Sequence, residues 1–203
     1  MKPAGDDVPG LSQRWRKAFL DTIRVHENAG PLKAAALTGR LREWTRLLTA
    51  VVVRSCADVG WQAAAKGHTL DLLSQAGQEF LGMDVMAFES SKGGDPTWRF
   101  PVAVFELENS RDDDRVAYSL WKVLCLRTRL RVVFAYRGDW DEAGTLTARL
   151  SAEVVGPVPL IQRSQLTGET LFVVGSRGEA DTFPWSYFKV WELDPDRGTF
   201  ERV

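Results

Sequence analysis

The stretch Val102-Ala103-Val104-Phe105-Glu106-Leu107-Glu108, followed by Asp112-Asp113-Asp114 and then by Leu130-Arg131-Val132-Val133-Phe134-Ala135-Tyr136, decides the fold. Its first segment is an apolar run with two acids at its end, of the length of a buried strand. The three aspartates offer a helix N-cap and favourable first-turn charge, and Val116, Leu120, Val123 and Leu124 continue at helical spacing. The last segment reads as a second buried strand. Strand, helix and strand over 102–136 form a βαβ unit, expected to set its strands parallel with the helix across the sheet. The core is therefore expected to be α/β.

Upstream, residues 80–88 form another short apolar run, separated from 100–107 by the turn-rich cluster 90–96, so two adjacent strands joined by a loop are expected. Residues 61–73 stay open between helix and strand, because alanines favour the former and Thr69-Leu70-Asp71-Leu72 alternates like the latter. A helix is expected from about 32 or 40 through 53, carrying Leu41, Trp44, Leu47, Leu48 and Val51 on one face and Glu43 one residue before Trp44. An amphipathic helix over 11–26 precedes it, closed by stop signals from His26 to Pro31. Downstream come a turn-rich linker around 156–159, a strand at 171–174, and a hairpin of 187–193 and 199–203 turning at 194–198. The expected organisation is one domain over 1–203, with a core at 41–136, an N-terminal helix at 11–26 and a C-terminal β-hairpin at 185–203.

Composition narrows the class. The chain has 203 residues, 44% hydrophobic and 26% charged, which is ordinary globular usage. No apolar stretch approaches the roughly 20 residues that span a bilayer, and the opening residues lack a signal-peptide core, so a soluble, cytoplasmic protein with no membrane partner is expected. Cys56 and Cys125 sit among aliphatic residues without zinc-ligand spacing and are expected to be buried thiols. A net charge of −1 argues against a free-standing non-specific nucleic-acid binder, yet residues 115–137 carry six basic residues and no acid, which leaves room for a local phosphate-facing surface. Within it Arg127, Arg129 and Arg131 are candidate nucleic-acid contacts, against the plainer reading of an exposed edge between helix and strand. Trp44, Trp121 and Trp191 lie in apolar patterns and are expected in the core.

The acids carry the chemistry. Alternation places Val102, Val104, Glu106 and Glu108 on one face of their strand. Two neighbouring carboxylates repel and resist desolvation unless a cation or proton compensates them. Asp84, flanked by Met83 and Val85, is equally out of place in its apolar run. If the two strands pair, Asp84, Glu106 and Glu108 converge into a set of oxygen ligands suited to a hard divalent cation such as Mg²⁺ or Mn²⁺.

Around these residues the chain resembles the PD-(D/E)xK nuclease superfamily over roughly 41–136. The matching segments are Leu41-Arg42-Glu43-Trp44, Gly82-Met83-Asp84-Val85, Val104-Phe105-Glu106-Leu107-Glu108-Asn109, Tyr118-Ser119-Leu120-Trp121-Lys122 and Val132-Val133-Phe134-Ala135-Tyr136. The resemblance implies a restriction-endonuclease-like αβββαβ core, a mixed sheet flanked by helices, and metal-dependent endonuclease activity on nucleic acid, DNA ahead of RNA. It implies Asp84 and Glu106 as Mg²⁺ or Mn²⁺ ligands and Glu43 as an assisting helix carboxylate. Glu108 stands where the family usually has Lys; some members use Glu there, and others move the Lys to the following helix, where Lys122 is the candidate. Glu108 is then a further ligand or the base that takes the water proton. The plainer reading of Lys122 is a side chain snorkelling to solvent. The alternative function is an inactive nuclease-like subunit for protein interaction or nucleic-acid binding. A third reading is an unrelated α/β domain in which Glu106 and Glu108 are surface acids. An active enzyme of this charge is expected to need a protein partner or a second copy for targeting.

Overall fold

A computed structural model describes residues 10–70, 80–90 and 99–203. Three helices come first, α1 (Leu11–Arg24), α2 (His26–Leu37) and α3 (Leu41–Asp58), then strands β1 (Trp61–Ala65), β2 (Val85–Glu89) and β3 (Ala103–Leu107). Helix α4 (Asp113–Leu124) leads into β4 (Leu130–Arg137). Helix α5 (Trp140–Leu150), a π-helical turn at Ser151–Val155 and the short α6 (Leu160–Arg163) lead into β5 (Glu169–Ser176), and β6 (Phe188–Asp194) and β7 (Thr199–Arg202) follow.

The strands form one seven-stranded mixed sheet in sequential order, β1 to β7. The outer pairs are antiparallel, whereas β3, β4 and β5 run parallel at its centre. Because β3, β4 and β5 advance in one direction and right-handed crossovers are strongly favoured, α4 and α5 fall on the same face. There Val116, Leu120 and Val123 of α4 and Ala143, Leu146 and Leu150 of α5 pack on Val104, Val133, Ala135 and Phe172. Helices α1, α2 and α3 cover the other face, where Trp15 stacks on Phe19 at 5.3 Å and both meet Phe134. With helices on both faces, all eight residues of β4 are buried, as a central parallel strand requires. The chain is an α/β protein with a mixed sheet flanked by helices, and no helix among the described residues is long and apolar enough to cross a membrane.

Local signals account for some boundaries, with side-chain caps at α4 and α5. Asp112 caps α4, accepting from Asp114 N at 3.0 Å, as its position predicts. The β6–β7 turn closes through Gly198, at φ 71°, with Asp194 Oδ1 accepting from Asp196 N and Arg197 N. Residues 61–65, open from sequence alone, are strand, paired along their whole length with β2. The 90–96 cluster from residue 91 on, and residues 71–73, lie outside the described residues.

Several expectations are corrected. The stop signals from His26 to Pro31 do end α1, since Val25 bends the chain and Asn28 Nδ2 donates to the Thr22 carbonyl at 2.7 Å beside the Val25 N–H. Helix α2 nevertheless starts at once, holds Pro31 in its interior, and is retained by burial of Leu32 and Ala35. Helix α5 has no counterpart among the expected elements. Cys125, expected to be buried, is exposed at the end of α4, whereas Cys56 is buried. Trp121, expected in the core, is 54% exposed.

Candidate functional site

The run 80–88 is not one strand. Phe80–Gly82 is a 3₁₀ turn with Leu81 and Gly82 both in the left-handed region, at φ 54° and 66°, and β2 begins only at Val85. Asp84 therefore stands in the bend just ahead of β2. Antiparallel pairing sets Val85 opposite Phe105, which brings Asp84 to the C-terminal end of β3. Its Oδ2 accepts the Leu107 backbone N–H at 2.6 Å. That bond fixes the carboxylate against the strand that carries Glu106.

Glu106 points to the face covered by α4 and is only 6% exposed, so it is no surface acid. Lys122, two turns after Val116 on α4, reaches down to it. The ammonium lies 2.8 Å from Glu106 Oε1 and donates to the Gly82 carbonyl at 2.9 Å. At that distance the ammonium meets the buried Glu106 Oε1 directly. Burial pushes the Glu106 carboxyl up to about 7; Lys122 opposes the rise, and the negative charge of Asp84 adds to it. Asp84, Glu106 and Lys122 thus meet at one end of β2 and β3, with the turn at Gly82 tied to α4.

The other sequence candidates are placed elsewhere. Glu108 follows β3, and its Oε1 accepts Ser110 N at 2.7 Å, an Asx-like local closure that spends the carboxylate on its own loop. Glu43, in the first turn of α3, pairs with Arg40 at 2.6 Å. Among the described residues no group of three or more His, Cys, Asp or Glu side chains is gathered as a metal-binding cluster. The carboxylates brought together at this end of the sheet are Asp84 and Glu106, the latter already met by the Lys122 ammonium. One or two carboxylates are what magnesium commonly takes when substrate phosphate and water fill its other positions.

The three arginines have separate fates. Arg131 cannot touch a phosphate: it is 2% exposed, and its guanidinium is spent on the carbonyls of Val123, Leu126 and Thr167. Arg129 is exposed and paired with Glu89 at 2.6 Å. Arg127 is exposed without an ion pair among the described residues.

Other polar features cluster along the same edge of the sheet. Among the described residues Asn109 Oδ1 finds no hydrogen-bond partner, and Asn109, Trp44 and Tyr136 line a small cavity of about 40 Å³. Beside it, at the C-terminal ends of β4 and β5, opens a recess of about 660 Å³ lined by both Arg111, Arg137 and Arg177 and the acids Asp113, Asp139 and Glu142. Arg137 is bonded to Asp113, which also takes Arg149. Asn109 and Arg177 were not among the sequence candidates; only the apolar context of the Glu106 strand, continued to Asn109, could have drawn attention to the former. Comparison with family models, with curated proteins and with solved structures returns no match to this chain.

Proposed function

We propose that the protein is a metal-dependent nuclease that hydrolyses phosphodiester bonds in nucleic acid, with DNA the first substrate to test. The observation that carries this reading is the convergence of Asp84, Glu106 and Lys122, two carboxylates and one ammonium, at the end of β2 and β3. The order α3, β1, β2, β3, α4, β4 supports a restriction-endonuclease-like core, because it follows that family's αβββαβ sequence with one acid just ahead of the second strand, one on the third and the cation on the next helix.

Mg²⁺ or Mn²⁺ bound by Asp84 and Glu106 would supply neutralisation of phosphate charge and acidification of water. Asp84, anchored by Leu107 N, presents its carboxylate in a fixed direction. Glu106 contributes a carboxylate whose burial makes it avid for a cation. Lys122, held by Gly82, keeps positive charge where negative charge develops on the transferred phosphoryl oxygens, and takes the place of the lysine missing at Glu108. Glu108 itself stabilises the loop after β3 and is not a base in this reading.

The test is manganese-supplemented cleavage of single- and double-stranded DNA and RNA by wild type, Asp84→Asn and Glu106→Gln, substitutions that keep an acceptor in place. Each is expected to lower the rate roughly 100-fold or more, the scale of removing one electrostatic stabiliser from an active site. Lys122→Met is expected to lose cleavage while retaining manganese binding. Cleavage surviving both acid substitutions would overturn the mechanism.

One observation favours a second reading, a nuclease-like subunit that binds protein or nucleic acid without hydrolysis: Lys122 already supplies a cation to Glu106. In that case manganese leaves the thermal stability of the wild type unchanged and no substrate is cut.

A further inference from the structure

Helix α4 buries one face, Val116, Ser119, Leu120 and Val123, as an amphipathic helix should. Its opposite face carries two large rings that the core does not use. Tyr118 is 59% and Trp121 54% exposed, and the rings lie against each other with centroids 5.9 Å apart and planes 33° from parallel. Tyr118 stands one helical turn before Lys122, so its ring and the ammonium on Glu106 share a side of the helix. The turn that accepts the Lys122 ammonium contributes a third exposed apolar group, Leu81, at 73%. An apolar surface of this extent beside a charged site calls for an occupant.

The charges around the rings indicate its sign. Arg115 is exposed one turn before Tyr118, and Arg111 is exposed just ahead of the helix; neither joins an ion pair among the described residues. The acids at the start of α4 are committed, Asp113 to Arg137 and Arg149, and Asp114 to Arg149. Two uncommitted guanidiniums therefore lead up to a pair of exposed rings tilted 33° to one another. Unpaired guanidiniums beside exposed rings complement a single strand, phosphates meeting the former and bases stacking on the latter. Bases inside a duplex are stacked on one another and cannot reach the rings.

We propose that Tyr118 and Trp121 form a base-stacking platform that delivers unpaired nucleotides of a single strand or frayed end to the Asp84, Glu106 and Lys122 site, with Arg111 and Arg115 holding the phosphates. The proposal rests on the nuclease reading for what happens after delivery, but binding is separable from cleavage.

The experiment measures anisotropy of a labelled 20-nucleotide oligo-dT and of a labelled blunt duplex, in EDTA, against wild type, the double variant Tyr118→Ala/Trp121→Ala and the ring-preserving Tyr118→Phe/Trp121→Phe. Wild type is expected to prefer oligo-dT. The alanine pair should weaken oligo-dT binding on the order of 10- to 100-fold, as loss of base–aromatic stacking does, with an unchanged melting temperature. The phenylalanine pair should bind within a few-fold of wild type, and Arg115→Glu, which leaves both rings, should also weaken binding. Oligo-dT binding that is unaffected by the alanine pair, or a wild type that holds duplex as tightly as single strand, overturns the platform. So does a sedimentation change from dimer to monomer in the alanine pair without loss of oligo-dT binding, which assigns the rings to a second copy of the chain. If the alanine pair binds normally while Asp84→Asn abolishes manganese-dependent cleavage, the platform falls and the nuclease stands. If oligo-dT binds through the rings and is never cut, the platform stands and hydrolysis falls.

Discussion

Arg131→Ala is expected to cost about 3–5 kcal/mol of unfolding free energy, the loss typical of breaking a buried, fully bonded charge. Arg131 sits near the start of β4, on the face under α4, and has no carboxylate partner among the described residues. Three carbonyls satisfy it instead: Val123 from Nε at 3.1 Å, Leu126 from Nη2 at 2.8 Å and Thr167 from Nη1 at 3.0 Å. Val123 lies in the last turn of α4, where its carbonyl already accepts from Leu126 N at 3.1 Å and the helix dipole is negative, so a cation there is favoured. Burial lowers the proton affinity of the guanidinium without approaching the point of deprotonation. The side chain thus staples the end of α4 and the approach to β5 onto the central strand. Arg131→Met keeps the aliphatic stem but none of the donors, and should recover part of the loss, which separates packing from hydrogen bonding. Exposed Arg127→Ala should change stability by no more than about 0.5 kcal/mol. Urea unfolding reads all three; a loss below 1 kcal/mol for Arg131→Ala would mean that water replaces the guanidinium and that the staple is not structural.

The same arginine marks where sequence reading stops. Along 126–132, arginines alternate with Leu126, Thr128, Leu130 and Val132, and an alternating pattern ordinarily means one wet face. Beyond Arg129 the rule fails because β4 is central and α4 closes over its second face; that is decided by the crossover, not by the strand. Features set by nearest neighbours were legible: the Asp112 cap, the Asp194–Gly198 turn, and the parallel pairing of β3 with β4. Helix α5 is legible by the same rules, with Asp139 accepting from Asp141 N and Glu142 N and with Ala143, Leu146 and Leu150 at helical spacing, although it is missing from the expected elements. Helix α2 is not, since Gly30 and Pro31 argue against it and only the burial of Leu32 and Ala35, where α2 packs on α1 and α3, overrides them.

At the site, Asp84 and Glu106 stood out because acids in apolar runs need a reason, and Lys122 was reached only through the resemblance, as a lysine on the helix after the Glu106 strand. Glu43 and Glu108 carried the same chemical promise and went to Arg40 and Ser110 N, choices fixed by contacts of a few ångströms that no spacing encodes. Trp121 was misplaced because its neighbours Leu120 and Val123 are apolar, yet a helix turns about 100° per residue and carries 121 away from the buried face.

At pH 8, in EDTA, Glu106→Gln is expected to be more stable than wild type by up to about 3 kcal/mol, because burial raises the folded-state carboxyl to about 7 from an ordinary 4.5 and each unit is worth about 1.4 kcal/mol. Below pH 4.5 the carboxyl is protonated in folded and unfolded chains alike, and it costs nothing. Between pH 4.5 and 7 the unfolded chain releases the proton while the folded chain retains it, so wild-type stability falls as pH rises, and above 7 the full penalty is present. The glutamine variant has no proton to release and lacks this slope. Glu192, also raised by burial, slopes in the same direction in both proteins and cancels in the difference. Thermal unfolding of the two proteins from pH 4 to 8 should therefore give curves that coincide at the acid end and separate through neutrality. A gap independent of pH would trace the change to packing, and no gap at pH 8 would mean that Lys122 already compensates the ionised carboxylate. Manganese adds the functional half of the argument. A cation that binds only the folded protein stabilises it by mass action, so under the nuclease reading it should raise the wild type at pH 8, leave Glu106→Gln nearly unmoved and close the gap between them.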